Sequence, residues 1–205
     1  MTLKIYGIAA SRAFRNLWAA EELGLPYEHI KLRFDGPEIK SPEFLKINPN
    51  GAIPAIDDDG ILMFESLAIN LHLARRYGAG TLGAASVAED AHILQWTFWA
   101  ATEIESLSRL WFTHTVYLPE AERKADQAAW ALEGIRNKFP VVEGHLASRQ
   151  WLAADRFTVA DLNLAAVLMR LKEFGGEAFP HLWAWHARCL GRPAAQRAMA
   201  LRAAA

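Results

Sequence analysis

The feature that most constrains this chain is a change of period near residue 78. Before it, short runs alternating apolar with polar, as a strand does, interleave with runs of helical period; after it no strand-like run occurs. Leu3-Lys4-Ile5-Tyr6 alternates and reads as a strand. Ser11 to Leu23 sets Phe14, Leu17 and Trp18 on one helical face and stops at Gly24 and Pro26. Tyr27 to Leu32 alternates again. The right-handed crossover rule makes the two strands parallel neighbours.

Ser41-Pro42 is a helix start, with serine as N-cap and proline at the first helical position, and Asn48-Pro49-Asn50-Gly51 ends that helix. Ile53-Pro54-Ala55-Ile56 and Ile61-Leu62-Met63-Phe64 flank an Asp-Gly turn at Asp59-Gly60, which predicts a hairpin. Glu65 to Tyr77 reads as a helix with Leu67, Leu71, Leu73 and Ala74 inward. Arg75 and Arg76 suit the negative end of its dipole, and Gly78 closes it. The order is β-α-β-α-β-β-α, an α/β domain over residues 1–78.

Residues 79–86 are small and read as a linker. The remainder, 87–205, reads as all helical: one long helix over 87–118, another over 120–148 broken or kinked by Pro140, and a third opened at Thr158 and running to about 173. Thr158-Val159-Ala160-Asp161 is a capping-box variant with Asp for Glu, stapled by Phe157 and Leu162. His181–Leu190 and Pro193–Arg202 are two last helices.

Composition excludes several function classes. A hydrophobic fraction of 52% is too high for a disordered chain. Lys and Arg number 22 against 23 Asp and Glu, balanced in both halves, which argues against a nucleic-acid footprint or an electrostatically held membrane surface. Met1–Ser11 reads as a strand and not as a leader, and no apolar run reaches the roughly 18 residues of a membrane span. Cys189 is the one cysteine, so no internal disulfide is possible and a reducing, cytoplasmic setting is expected. No Cys/His cluster has metal-ligand spacing, and no metal is expected.

Two helix starts could carry chemistry. Ser11 follows a strand and opens a helix; it is either a plain N-cap or a hydroxyl that donates to an anion held at the helix terminus. A thiolate is such an anion, and it would have to come from a ligand, because the chain has no cysteine there. Glu65-Ser66 is likewise either a cap with a first-turn acid or a recogniser of an amino-acid head group, with Glu65 on the ammonium and Ser66 on the carboxylate. Pro54 marks either an edge-strand start or a cis bond in a tight turn. A cis bond there would leave the Ile53 N–H and C=O available to a peptide-like ligand.

Together these pieces resemble the soluble glutathione transferases, in particular serine-type, phi-like and related bacterial members. The resemblance rests on Tyr6-Gly7-Ile8-Ala9-Ala10-Ser11, Lys40-Ser41-Pro42-Glu43, Asn48 to Ala55, Phe64-Glu65-Ser66 and Thr158 to Asp161, in this order and spacing. It implies a thioredoxin-like glutathione-binding domain followed by the helical domain, glutathione as co-substrate, attack on small hydrophobic electrophiles, and a homodimer. By resemblance Ser11 is the catalytic hydroxyl that hydrogen-bonds the glutathione sulfur. Lys40 lies near the glycyl carboxylate, Ile53 and Pro54 grip the cysteinyl unit, and Glu65 and Ser66 hold the γ-glutamyl head. Asp161 is a capping residue important for folding.

Three positions depart from the pattern or compete with it. Ala52 stands where the family often has Gln. Arg12 replaces a small or polar residue beside the serine; it is either a second donor or cation that supports a thiolate or, the reading preferred here, an exposed first-turn side chain. Tyr6 is the rival donor that some classes use, and its strand position suits core packing instead. An apolar electrophile wall is expected between the domains, from Ile8 and Phe34 and from Leu107, Trp111 and Phe112 on the long helix. Alternatives on the same scaffold are a non-catalytic glutathione- or protein-binding member, or a glutathione-dependent peroxidase, dehalogenase or isomerase.

The energetics of the serine role are modest. A free thiol has a pKa of about 8.5, and lowering it by two units takes about 2.7 kcal/mol. One charge-assisted hydrogen bond contributes roughly 1.5–3 kcal/mol and a helix dipole about 0.3–1 kcal/mol.

Overall fold

A computed structural model describes residues 2–204. The first part contains four strands, β1 (Leu3–Tyr6), β2 (Tyr27–Ile30), β3 (Ala55–Asp58) and β4 (Ile61–Phe64), and the helices α1 (Ala13–Leu23), α2 (Pro42–Leu45) and α3 (Ser66–Tyr77). The sheet order is β2-β1-β3-β4. β1 pairs parallel with β2 in the register Leu3 to Tyr27, and antiparallel with β3 in the register Tyr6 to Ala55. The β3–β4 hairpin turns at Asp59 (φ 53°) and Gly60 (φ 89°), both in the left-handed region that a two-residue hairpin loop requires. The thioredoxin-like arrangement of the first 78 residues is therefore present. β2 is two residues shorter than its alternating pattern, because after Ile30 the chain leaves the ladder and Leu32 turns its N–H to the Ile30 carbonyl.

Local chemistry accounts for the helix ends. Gly24 takes a left-handed conformation (φ 62°) after α1, and the Ser41 hydroxyl accepts from the Phe44 N–H at the start of α2. α1 packs on α3 and buries Phe14, Leu17 and Trp18, the predicted face. At the far end of α3, the fully buried Asp58 accepts from Tyr77 (2.6 Å), and its other carboxylate oxygen lies 2.7 Å from His72 Nε2.

The chain forms two compact units, residues 1–86 with 190–205, and residues 87–189. The last helix, α10 (Pro193–Ala203), follows the helical region in sequence but packs on α1 of the first unit. Arg192 forks onto Glu22 (2.7 and 2.8 Å) and Arg197 pairs with Glu21, while Ala194, Ala195 and Ala198 are buried. These contacts join residues about 170 positions apart, which no local pattern encodes.

The second unit holds α4 (Val87–Trp99), α5 (Ser106–Phe112), α6 (Ala125–Arg136), α7 (Phe139–Leu146), α8 (Val159–Val167) and α9 (Pro180–Leu190). The expected long helix is one helical path from 87 to 117, widened into π turns at Ala100–Glu105 and Thr113–Tyr117. Threonines accompany both: Thr102, Thr113 and Thr115 donate to the carbonyls four residues back and compete with the backbone ladder. The break before Pro140 separates α6 from α7 as expected. α8 ends at Val167, earlier than the predicted 173, because the chain continues in turns to the left-handed Gly175 (φ 79°).

Asp161 opens α8 from a fully buried position. Its carboxylate accepts from the Thr158 N–H (2.9 Å) and hydroxyl (3.1 Å), the Leu152 N–H (2.9 Å) and the Trp185 indole (2.9 Å). Burial pushes its pKa up, and these four donors pull against that shift. One carboxylate thus ties the start of α8 to the preceding loop and to α9.

Candidate functional site

The first-unit candidates gather at one edge of the sheet, where β1 leads into α1 and β4 into α3. Before α1 the chain turns tightly: the Ser11 N–H donates to the Ile8 carbonyl (3.0 Å), and α1 begins at Ala13, later than predicted. The Ser11 hydroxyl donates to the same carbonyl (2.7 Å) and accepts from the Ala13 N–H (3.1 Å). Arg12 holds the N-cap position, and Ser11 is a half-buried hydroxyl in the turn just before it, near the positive end of an 11-residue helix. Arg202 of α10 reaches the Ala9 carbonyl (3.2 Å) and, more distantly, that of Ser11, holding this turn from the other end of the sequence.

Next to this turn is a cavity of about 140 Å³ lined by Arg12, Asn48, Asn50, Ala52, Ile53, Pro54, Phe64, Glu65 and Ser66. Four of the predicted ligand residues, Ile53, Pro54, Glu65 and Ser66, are therefore brought together. The Ile53–Pro54 bond is cis. The Ile53 N–H and C=O pair with nothing among the described residues, leaving one donor and one acceptor at the cavity wall. Ser11 is not itself in the lining. Lys40 is also outside it, and is tied down: its ammonium donates to the Gly51 carbonyl (2.8 Å) behind the loop that forms one wall. Ala52 lines the cavity with no polar side chain to offer.

Glu65 occupies a rare backbone conformation for a residue with a side chain, φ 70° and ψ 104°. Such a conformation costs about 1–3 kcal/mol and persists where the surroundings impose it, commonly at functional sites. Here it places an exposed carboxylate on the cavity wall directly before the first residue of α3. The Ser66 hydroxyl accepts from Arg15 (3.0 Å), and its carbonyl accepts from Asn16 (2.8 Å).

Tyr6, the rival donor, does not line this cavity. Its ring packs in a buried cluster with Ile39, Phe44 and Ala55, edge-on to Phe44 at 5.9 Å. Burial, and secondarily the charge of Asp57, raise its pKa.

Arg12, read as an exposed first-turn side chain, is exposed and also lines the cavity. Other residues of this region were not singled out one by one from sequence. Asn48, 2% exposed, shapes the opposite wall: its amide donates to the Ala52 carbonyl (2.6 Å) and its oxygen accepts from the Asn50 N–H (3.1 Å). The Asn-Pro-Asn-Gly run announced a turn but not the wall of a cavity. Gly51 is required there, at φ 55° and with room for a Cβ only 2.9 Å from the Ile39 carbonyl. Arg15 and Asn16 lie on the buried face of α1, which the apolar pattern assigned to core.

The residues expected at the electrophile wall are placed as follows. In the first unit Ile8 is half-buried and Phe34 is 47% exposed. In the second, Leu107 packs against Gly134 and lines a groove with Trp130 and Glu133. Trp111 meets Phe174 edge-on at 5.2 Å, and Phe112 lies under the Arg170 guanidinium at 4.8 Å. Among the described residues no three His, Cys, Asp or Glu side chains are grouped to hold a metal ion, and no helix is long and apolar enough to cross a membrane.

Comparison with known proteins bears on the family and the fold. Residues 1–75 match the family model of the glutathione S-transferase N-terminal domain, and residues 108–193 that of the C-terminal domain. Glutathione S-transferase 1 of Zea mays is 31% identical over 206 residues, covering 97% of this chain and 96% of that protein. A probable elongation factor 1-gamma 2 of Arabidopsis thaliana is 33% identical over 176 residues, 83% of this chain but 42% of that longer protein. The solved structure of glutathione S-transferase I from maize, in complex with an atrazine glutathione conjugate, superposes with a TM-score of 0.88 at 29% identity and 98% coverage of both chains. The chain belongs to the glutathione S-transferase family.

Proposed function

We propose that this chain binds glutathione in the first-unit cavity and activates its thiol for attack on small hydrophobic electrophiles. The observation that carries the reading is the convergence, in one cavity, of an unpaired peptide edge at Ile53 with the Glu65 carboxylate and the Ser66 hydroxyl. Those are complements of a peptide backbone, an ammonium and a carboxylate. The maize structure in complex with a glutathione conjugate supports the same ligand class.

In this reading the γ-glutamyl ammonium meets Glu65 and its carboxylate meets Ser66 and the N-terminus of α3. The cysteinyl unit pairs with the Ile53 backbone, and the glycyl carboxylate lies toward Lys40. Ser11 turns its hydroxyl proton from the Ile8 carbonyl to the sulfur, donating a hydrogen bond that favours the thiolate; it forms no covalent bond. The dipole of α1 adds to that effect. The thiol proton is released to solvent, the thiolate attacks the electrophilic carbon, and the leaving group departs with the electron pair. Ile8 and Phe34 offer apolar surface to the electrophile in the first unit.

The test is a panel of haloaromatic, epoxide and hydroperoxide substrates assayed with glutathione, with calorimetric titration of glutathione alone. Turnover of any of them above the uncatalysed rate, with glutathione bound at millimolar levels or tighter, is the expected result. No heat of binding at millimolar glutathione and no turnover would overturn the proposal.

A second reading is a glutathione-binding member without turnover. It is favoured by the Ser11 hydroxyl being engaged on Ile8 and by the likeness to an elongation factor subunit. Binding without turnover of the whole panel selects it. A homodimer is proposed on the exposure of Phe98 (62%) and Trp130 (63%) in the second unit, and a cytoplasmic setting on the single, buried Cys189.

A further inference from the structure

We infer that Arg15 is a positioning residue, which keeps the Ser66 hydroxyl proton directed to the cavity so that it can bind the carboxylate of the ligand's γ-glutamyl head. The inference rests on the proposed glutathione site and goes beyond it, since Arg15 touches no ligand in it. Arg15 lies on α1 and is 7% exposed; Ser66, on α3, is 4% exposed. Arg15 Nη1 is 3.0 Å from Ser66 Oγ.

A guanidinium has donors and no acceptor, so in this pair the serine oxygen accepts. The hydroxyl proton must then point elsewhere, and no described residue accepts it. The Ser66 carbonyl is taken by Asn16 Nδ2 (2.8 Å), which also donates to Asn70 (2.7 Å), so the backbone beneath the hydroxyl is pinned as well. Ser66 lines the cavity and Arg15 does not. The guanidinium therefore lies behind the serine and acts through it, polarising the O–H into a stronger donor.

A hydroxyl that could donate or accept would receive a carboxylate and an amide about equally. One locked as a donor can only reach the amide through its oxygen, and gives the stronger, charge-assisted bond to the carboxylate, which the positive end of a 12-residue helix favours further. The selectivity of this corner for a charged head group is thus set by a side chain outside the cavity.

The test compares glutathione with an analogue whose γ-glutamyl α-carboxylate is an amide, by titration calorimetry and by KM and kcat. The proteins are wild type, Arg15→Met, Arg15→Lys, Ser66→Ala and the Arg15→Met/Ser66→Ala double variant. Wild type is expected to favour glutathione by about 10- to 100-fold, the range of one hydrogen bond to a charged group. Ser66→Ala and Arg15→Met should each lose most of that preference, with KM raised and kcat within about twofold. The double variant should lose no more than Ser66→Ala alone, and Arg15→Lys should regain part of the preference.

Additive losses in the double variant mean that Arg15 acts on the ligand independently, and overturn the inference. So does a Ser66→Ala variant that keeps the full preference. If Arg15→Met fails to fold, Arg15→Lys takes its place in the cycle and the same non-additivity is required. Wild type that binds neither ligand overturns the proposed function and this inference together, whereas wild-type binding with additive variants overturns the inference only.

Discussion

Ser11→Ala separates a catalytic serine from a structural one, and the geometry sets the size of its effect. A hydrogen bond to a charged sulfur contributes roughly 1.5–3 kcal/mol. The Ser11 proton is already given to the Ile8 carbonyl at 2.7 Å, a neutral bond of about 0.5–1.5 kcal/mol that must be surrendered first. The net stabilisation of a thiolate is then about 1 kcal/mol, which corresponds to a little under one pKa unit, or somewhat under tenfold in thiolate fraction. This is at or below the low end of what an unencumbered serine would supply.

The assay is the pH dependence of kcat at saturating glutathione, which reports the thiol in the bound complex. Removing the donor raises the bound thiol pKa, so the rising limb should move up by a little under one unit. Turnover near pH 6.5 should fall about three- to fivefold, and the gap should close at alkaline pH, where both proteins hold thiolate. Ser11→Ala also removes the acceptor for the Ala13 N–H, at a cost of about 1 kcal/mol in a denaturant titration. A limb that stays in place while stability falls would refute the reasoning and leave Ser11 as a residue that only holds the turn into α1.

Two further outcomes follow from strain and burial. Glu65→Gly relieves a backbone at φ 70° and ψ 104° that costs about 1–3 kcal/mol, against about 0.5–1 kcal/mol of added chain entropy; thermal unfolding should show a more stable protein that binds glutathione more weakly. His186 is buried with its Nε2 3.2 Å from the Ala165 carbonyl, and burial lowers its pKa to about 4. The depressed value means that its neutral form supports the fold above the unfolded pKa near 6.5. That support is lost as pH falls through the folded value, by about 3 kcal/mol. Unfolding free energies measured from pH 7 to 4 should fall less steeply in His186→Gln, and equal slopes would contradict the assignment.

Much of the candidate site was legible because its residues sit at local punctuation. Ser41 and Pro42, Asp59 and Gly60, and Thr158 with Asp161 announce caps and turns within four residues. Ile53, Pro54, Glu65 and Ser66 flank strands that short-range alternation already located. What escaped lay on faces where burial overrides type. Arg15 and Asn16 occupy an inward helical face and are charged or polar, and a pattern that reads inward as apolar passes over them. Arg12 is exposed and lines the cavity at once, a distinction that a one-dimensional periodicity does not carry.

The sequence by itself determined the strands, the hairpin, the helix starts and the family, since each depends on dihedral preferences and spacing over a few residues or on a pattern running the length of the chain. Only the tertiary structure decided that α10 returns to brace α1 through Glu21 and Glu22, that Asn16 ties α1 to the Ser66 carbonyl, and that Arg15 stands behind Ser66. Each of these depends on which groups meet when the elements pack, and a hydrogen bond across about 50 or 170 residues leaves no trace in the spacing of either partner.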